Sequence, residues 1–347
     1  MKKMKCKLLL ILSLIFTLTG FGQNGIEKKI TKEFPVDVGS EFVIMHKFGD
    51  ISIENWNENK ILIDVSIVAD AKNQDKAEKL FNEVEIDFST KGKSIRVKTS
   101  YKSQLVHKDV TVNYKIKMPH YIELDLTNKF GSVFINEISG KSRIAVSYGS
   151  LKAEKLLYND TKPLSRIILS YGSAEITKCS WLQIDTKYSS LEINKAKALV
   201  IDSRFSNIEI DECHSIIATS KYDNYENGSA NNLVLTAKFT NFEIGNISNK
   251  LDLNFEYGGF EAGNVAAGFK LIKIKNKYGE VDLRIDLSAS YVLDAHSKYC
   301  IIDFSSANSV EHQEYGSENS YKGIVGSDKE TKSKVIIESK YGSIDLD

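Results

Sequence analysis

The side chains in this 347-residue sequence with the most regular chemical spacing are carboxylates. Glu175, Glu192, Glu209, Glu226, Glu243, Glu261, Asp282 and Asp303 each follow a Tyr or Phe by four residues, and Asp345 falls in the same phase. A basic series keeps step with them. Lys187, Arg204, Lys221, Lys238, Lys277, Lys298 and Lys340 each precede that aromatic directly. Three kinds of chemistry could follow. Carboxylate oxygens can hold Ca²⁺. Two carboxylates at a set separation can cleave a glycosidic bond. Alternatively, the acids form a solvated ladder, with solvent and the basic series as counter-charge. Two like charges about 5 Å apart repel by roughly 1 kcal/mol in water, so something must offset the column. An evenly repeated acid is the opposite of a unique site, and no repeat carries extra acids with a convergent Lys or Arg. The acidic series is therefore read as a candidate surface ladder, with no catalytic residues, no metal site and no cofactor.

The other reactive side chains form no constellation. His46, His107, His120, His214, His296 and His312 show no metal-ligand spacing with each other or with cysteine. The glycine- and aspartate-rich calcium nonapeptide is absent, as are Walker A, Rossmann and HExxH patterns. Cys179, Cys213 and Cys300 are too few and too widely spaced for a disulfide framework.

A repeat positions the charged series. A basic or small polar residue, a Tyr or Phe, then two small or polar residues precede an apolar–x–apolar triplet, as in Lys187-Tyr188-Ser189-Ser190 and Lys221-Tyr222-Asp223-Asn224. The aromatics Tyr171, Tyr188, Phe205, Tyr222 and Phe239 are 17 residues apart, followed by Tyr257, Tyr278, Tyr299 and Tyr341 at wider intervals. Earlier copies hold Phe130 and Tyr148, and Phe48 is an outlier. With the aromatic at position 0, positions −6 and −4 are apolar (Leu182 and Ile184, Leu199 and Ile201) and −2 is small (Ser203, Ser220, Ala237). After a two-residue corner, +3, +5 and +8 are apolar or small, as in Ile208, Ile210 and Cys213. Side chains alternate faces along a strand, so these positions point inward and the charged series outward. The same parity sends the aromatic inward, as a core stack rather than a strip for sugars or bases. Cys179 and Cys213 share a slot two repeats apart, roughly 9.6 Å, too far to bridge; both are read as buried fillers.

One such unit cannot bury its own inward residues, and stacking in parallel gives a continuous core. The fold class expected is all-β: a right-handed parallel β-helix (solenoid) of about 17–21-residue rungs over 128–347, with an irregular polar excursion at 305–333. The hand follows the crossover rule. Residues 23–127 differ. Alternation predicts strands at Glu41–His46, Ile61–Val68, Val84–Phe88, Ser94–Lys98, Val110–Lys117 and Ile122–Leu126, with a hairpin connection through Gly92 and one helix at Asn73–Asn82. This reads as an N-terminal antiparallel β cap carrying one short helix.

Residues 1–22 read as a signal peptide, with Lys2, Lys3, Lys5 and Lys7 ahead of an apolar run too short to span a membrane. The only cysteine there, Cys6, precedes that run, so no lipid anchor is expected. Cleavage before Gln23 leaves a net charge of about −4, which argues against nucleic acid as a partner. It also leaves no membrane span.

The run Lys47-Phe48-Gly49-Asp50-Ile51-Ser52-Ile53-Glu54-Asn55-Trp56 resembles the opening motif of the putative-adhesin family of secreted bacterial β-solenoid proteins. Gly323–Gly326 and Val335–Ile344 resemble its closing element. The resemblance implies the fold and supplies no catalytic residues. The expected function is a non-enzymatic, adhesin-like binding or surface-interaction scaffold, located in the periplasm or at the cell surface, with an envelope polymer, glycan or protein as partner. The alternatives are a structural or signalling component of the envelope and a polysaccharide-active enzyme.

Overall fold

The computed structural model describes residues 25–103, 108–158, 165–304 and 310–347; the signal-peptide reading and His107 lie outside them. The described residues form 23 strands in one continuous sheet and one helix.

The N-terminal part holds β1 (Ile26–Pro35), β2 (Glu41–Lys47), β3 (Ile51–Asn55), β4 (Lys60–Ala69), α1 (Gln74–Phe81), β5 (Val84–Lys91), β6 (Ser94–Tyr101) and β7 (Val110–Met118). Helix α1 starts where the Asn73 side chain accepts from the Lys76 N–H at 3.0 Å, a standard N-cap. It buries Ala77 and Phe81. Strand β4 lies antiparallel between β1 and β7, and β5–β6 is a hairpin whose turn places Gly92 at φ +61°. Two features depart from an antiparallel cap. Strand β1 was not expected, because Lys28 and Lys32 share its inward-leaning positions with Ile26, Ile30 and Phe34 and blur the alternation. Strands β2 and β3 pair in parallel, β2 with β6 and β3 with β7. On their other side they carry the first rung of the repeat, so Phe48 is a regular member of it.

That rung is β8 (Glu123–Lys129) and β9 (Val133–Ile138), paired in parallel with β2 and β3. Strand β8 crosses the expected junction at residue 127. The stack continues through β10 (Ser142–Ser147), β11 (Ser150–Leu156), β12 (Ser165–Ser170), β13 (Ser173–Lys187), β14 (Ser190–Arg204), β15 (Asn207–Lys221), β16 (Asn224–Val265) and β17 (Leu271–Ile285). The register from β13 to β16 follows the sequence period: Leu182 faces Leu199, which faces Ile216, which faces Leu233. All four are at most 1% exposed. Cys179, Ala196 and Cys213 share one buried slot in adjacent rungs. Burial pushes both thiols up to about 12, and both are free.

The last elements are β18 (Tyr291–Lys298), β19 (Ile302–Phe304), β20 (Val310–Tyr315), β21 (Glu318–Val325), β22 (Lys334–Lys340) and β23 (Ser343–Leu346). Here stacking order departs from chain order. Strand β22 inserts in parallel between β17 and β18, and β23 between β17 and β19. Within the stretch expected to be irregular, 305–333, the described residues include two strands. Strands β20 and β21 form an antiparallel hairpin, and β21 pairs antiparallel with the outer edge of β18. Its polar composition hid the hairpin, since β20 buries almost nothing. The hairpin covers an edge that would otherwise present unpaired backbone groups.

Side chains at −6, −4, −2, +3, +5 and +8 face inward as alternation requires, and those at position 0 do not. All twelve repeat aromatics, from Phe48 to Tyr341, take φ between +52° and +63°. A left-handed residue turns its side chain out of the alternation, so the rings stand outside the core. Eleven are 36–55% exposed.

His46, at the −2 position of β2, is 2% exposed. Its Nδ1 lies 3.0 Å from Thr99 Oγ1, and its ring meets Tyr114 edge-on at 4.9 Å. Desolvation lowers its pKa from 6.5 to about 4. The unfolded chain then binds a proton between these values and the folded chain does not. The resulting stability is fully present above pH 6.5 and is lost as the pH falls towards 4, by up to about 3 kcal/mol. Denaturant melts at pH 7 and 4.5 should show a smaller acid loss for His46→Phe than for the wild type. Parallel losses would exclude His46 as a source of acid sensitivity.

Candidate functional site

The repeat builds three columns around one corner, each with a spacing set by strand pairing. The central column is aromatic. Its spatial order is Phe48, Phe130, Tyr148, Tyr171, Tyr188, Phe205, Tyr222, Phe239, Tyr257, Tyr278, Tyr341, Tyr299. Successive centroids are 4.8–5.1 Å apart and ring planes within 19°. Tyr341 stands between Tyr278 and Tyr299 because β22 does. Tyr101 closes the N-terminal end edge-on against Phe48 at 5.5 Å. Except at Tyr299, the last ring, which has Tyr341 on one face only, the rings cover one another's faces and present their edges to solvent.

The backbone remains paired through the corner. The Tyr188 N–H donates to Arg204 O at 3.0 Å, and the Ser190 N–H donates to Gly172 O at 3.0 Å. One corner holds a carboxylate that the sequence reading did not single out. Asp223 is 6% exposed and accepts from the Ser203 and Ser220 hydroxyls at 2.7 and 2.6 Å and from the Ser206 and Lys221 N–H groups at 2.8 and 3.0 Å. With its acceptor capacity met from neighbouring rungs, it serves structure. Alternation alone marked Ser203 and Ser220 only as small inward residues.

The basic column lies on one side of the rings and faces them, and its lysines Lys238 and Lys298 pair with Glu256 and Glu318, acids outside the ladder. Lys238 sits 5.7 Å from the Phe239 centroid, Lys277 5.4 Å from Tyr278 and Lys340 5.0 Å from Tyr341. Cation–π attraction of this kind contributes about 0.5–1 kcal/mol at exposed sites. The expectation that this column neutralises the acidic one is therefore corrected, because the aromatic column stands between them.

The acidic ladder forms on the other side. Glu175 faces Glu192, Glu192 faces Glu209 and Glu209 faces Glu226. Glu226, Glu243, Glu261 and Asp282 line one shallow groove. Asp282 and Asp303 both face Asp345. Among the described residues, the ladder's ion pairs are Lys152 with Glu175 at 2.7 Å and Arg284 with Glu261 at 3.9 Å. Glu192, Glu209 and Glu243 form no ion pair among the described residues and are left to solvent. The Asp345 carboxyl is raised above its ordinary value, first by burial, then by Asp347, Asp282 and Asp303. Among the described residues, no three His, Cys, Asp or Glu groups converge as metal ligands would.

The larger concavities lie at the ends of the stack. A cleft of about 840 Å³ lies beside the β20–β21 hairpin, lined by Lys277, Lys298 and Lys340 with Glu314 and Glu318. A trough of about 780 Å³ lies at the N-terminal end, where β9 and β3 meet β7, β4 and β1. No helix among the described residues is long and apolar enough to cross a membrane.

No family model matches the chain, and no curated protein does. Among solved structures it is similar to a putative cell adhesion protein from Clostridium sporogenes, 14% identical, covering 92% of this chain and 98% of that one with a TM-score of 0.20. It is similar to a putative adhesin from Parabacteroides merdae, 11% identical over 75% and 92% with a TM-score of 0.35. A putative lipid binding protein from Parabacteroides distasonis is 11% identical over 74% and 94%, with a TM-score of 0.34.

The register makes neighbouring residues behave oppositely. Ile208 is 2% exposed between Leu191 and Tyr225, so Ile208→Asp buries an unpaired charge and should lower stability by more than about 3 kcal/mol. Glu209→Ala relieves repulsion in the ladder and should be neutral or slightly stabilising. Thermal melts of both variants check the register, because a one-residue slip would exchange their effects.

Proposed function

We propose that the chain is a non-enzymatic, exported, right-handed parallel β-solenoid that acts as an adhesin-like binding scaffold. The single observation that carries this reading is the equivalence of its rungs. The same residue class recurs at the same position through a twelve-ring column, with a basic column on one side and acids on the other. A catalyst needs one place unlike the rest, where an acid, a base or a nucleophile is set apart by its surroundings. This surface instead repeats one motif at a step of 4.8–5.1 Å. A repeating surface suits a repeating partner, because each further contact is made at high effective concentration. The parallel registers support winding each rung onto the last, and the crossover rule is the ground for the right-handed sense. The leader-like residues 1–22 and the motif resemblance at 47–56 and 335–344 fit a protein that works in the envelope or beyond it.

The test pairs retention with turnover. Purified chain is passed over immobilised peptidoglycan, neutral polysaccharides and acidic polysaccharides, and the same polymers are assayed for released reducing ends. Retention on at least one polymer without product is expected. Turnover abolished by a single acid-to-amide change would replace the scaffold with an enzyme.

A further inference from the structure

We propose that the N-terminal trough is a binding subsite for a neutral saccharide; this deepens the scaffold reading and rests on it. The trough is the concave outer face of one stretch of sheet, crossed by a row of residues in direct strand register. Phe134 faces Ser52, Ser52 faces Lys115, Lys115 faces Asp64 and Asp64 faces Thr31.

Phe134 occupies the column that becomes the acidic ladder, between Ser52 and Lys152. It is 36% exposed, and no ring stacks on it among the described residues. It therefore differs from the corner aromatics, whose faces are taken by their neighbours except at Tyr299. An uncovered ring on the floor of a concavity is an apolar platform for the C–H face of a pyranose.

The polar groups around it are already oriented. Thr31 donates to Asp64 Oδ1 at 2.6 Å. Asp50 Oδ1 accepts from the Ser132 N–H at 2.7 Å, and the Asp50 N–H donates to Asn113 Oδ1 at 2.9 Å. These bonds fix the two carboxylates while leaving acceptor capacity for ligand hydroxyls. Hydroxyl-to-carboxylate bonds are charge-assisted and stronger than neutral ones. Side chains held in place before binding also lose less freedom when the ligand arrives.

Charge decides the ligand class. Glu27, Asp50 and Asp64 line the trough together with Lys29, Lys115 and Lys152. Each lysine pairs with a glutamate: Lys29 with Glu27 at 3.3 Å, Lys115 with Glu54 at 3.4 Å and Lys152 with Glu175 at 2.7 Å. The formal charges of the lining balance, and each lysine is already paired with a glutamate, so an anion finds no free cation in the trough. A saccharide of several rings can use the platform and Asp50 and reach Asp64, three strands and about 14 Å away.

Isothermal titration tests the subsite with cellohexaose, chitohexaose, mannohexaose and xylohexaose, and with glucose and N-acetylglucosamine as single rings. At least one hexaose should bind, more tightly than its single ring if the natural ligand is a polymer and equally if it is a free sugar. Phe134→Ala should weaken binding about tenfold or more, which corresponds to about 1.4 kcal/mol. Phe134→Tyr should keep it, and Leu287→Ala, at a 91% exposed residue outside the three columns, should leave it unchanged. Phe134 points outward, so Phe134→Ala should melt with the wild type. Binding by none of the four hexaoses, or affinity unmoved by Phe134→Ala, would overturn the subsite. Retention on polymers despite either result would leave the scaffold reading standing; loss of all retention would remove both.

Discussion

The rest of the structure depends on a backbone that turns a corner at the same left-handed residue in every rung. A non-glycine residue there costs about 1–2 kcal/mol. Glycine is the usual way to avoid that cost, yet this chain places Tyr or Phe at the position twelve times. What offsets the strain is the next ring. A stacked aromatic pair contributes about 0.5–1.5 kcal/mol beyond its buried area, and each interior ring has two such neighbours. The cost and the gain are nearly equal, so the corner is stable only as part of a column. Local strain and long-range stacking are thus one interaction, and it enforces the register of the strands on both sides.

This dependence explains the ends. A terminal ring has one neighbour and an uncovered face, and a terminal strand has an unpaired edge. At the N-terminus Tyr101 covers Phe48, while β6 and β7 pair with β2 and β3. At the C-terminus the chain passes out through the β20–β21 hairpin and returns, so that its last rung has neighbours on both sides. The chain's final strands are held inside the stack, and the hairpin takes the exposed edge.

Much of this was legible in the sequence, and the failures have physical causes. Alternation located the inward positions because burial in a strand depends only on parity, as Leu199, Ile201, Ile208 and Ile210 illustrate. It misplaced the aromatics because parity assumes extended backbone, and φ near +55° breaks it at one residue per rung. The acidic ladder could be read because equal spacing in sequence becomes equal spacing in space when strands stack in register. The order of the last rungs could not, since Tyr341 follows Tyr299 in the chain but precedes it in the column. The trough was also hidden. Phe134 reads as an exception in the ladder column, and Asp64 and Thr31 of the same row come from β4 and β1, whose pairing with β7 and with each other no local pattern specifies.

Two kinds of surface result from one construction. Along the stack, every rung repeats its neighbour, and the stacked rings, lysines and acids form a lattice rather than a site. At the N-terminal end, where β1, β4 and β7 extend the sheet beyond the repeat, the lattice is broken and one trough is lined by an unstacked ring and oriented carboxylates. Both rest on the corner column, so its energetics are the direct test. Denaturant unfolding of Tyr188→Ala, Tyr188→Gly and Tyr188→Phe measures them. If stacking offsets left-handed strain, Ala keeps the strain and loses both ring contacts, so it should be the least stable. Gly should recover about 1 kcal/mol of that loss by relieving the strain, and Phe should match the wild type, as Phe205 and Phe239 do in the same column. Gly no better than Ala, or Ala indistinguishable from the wild type, would contradict it.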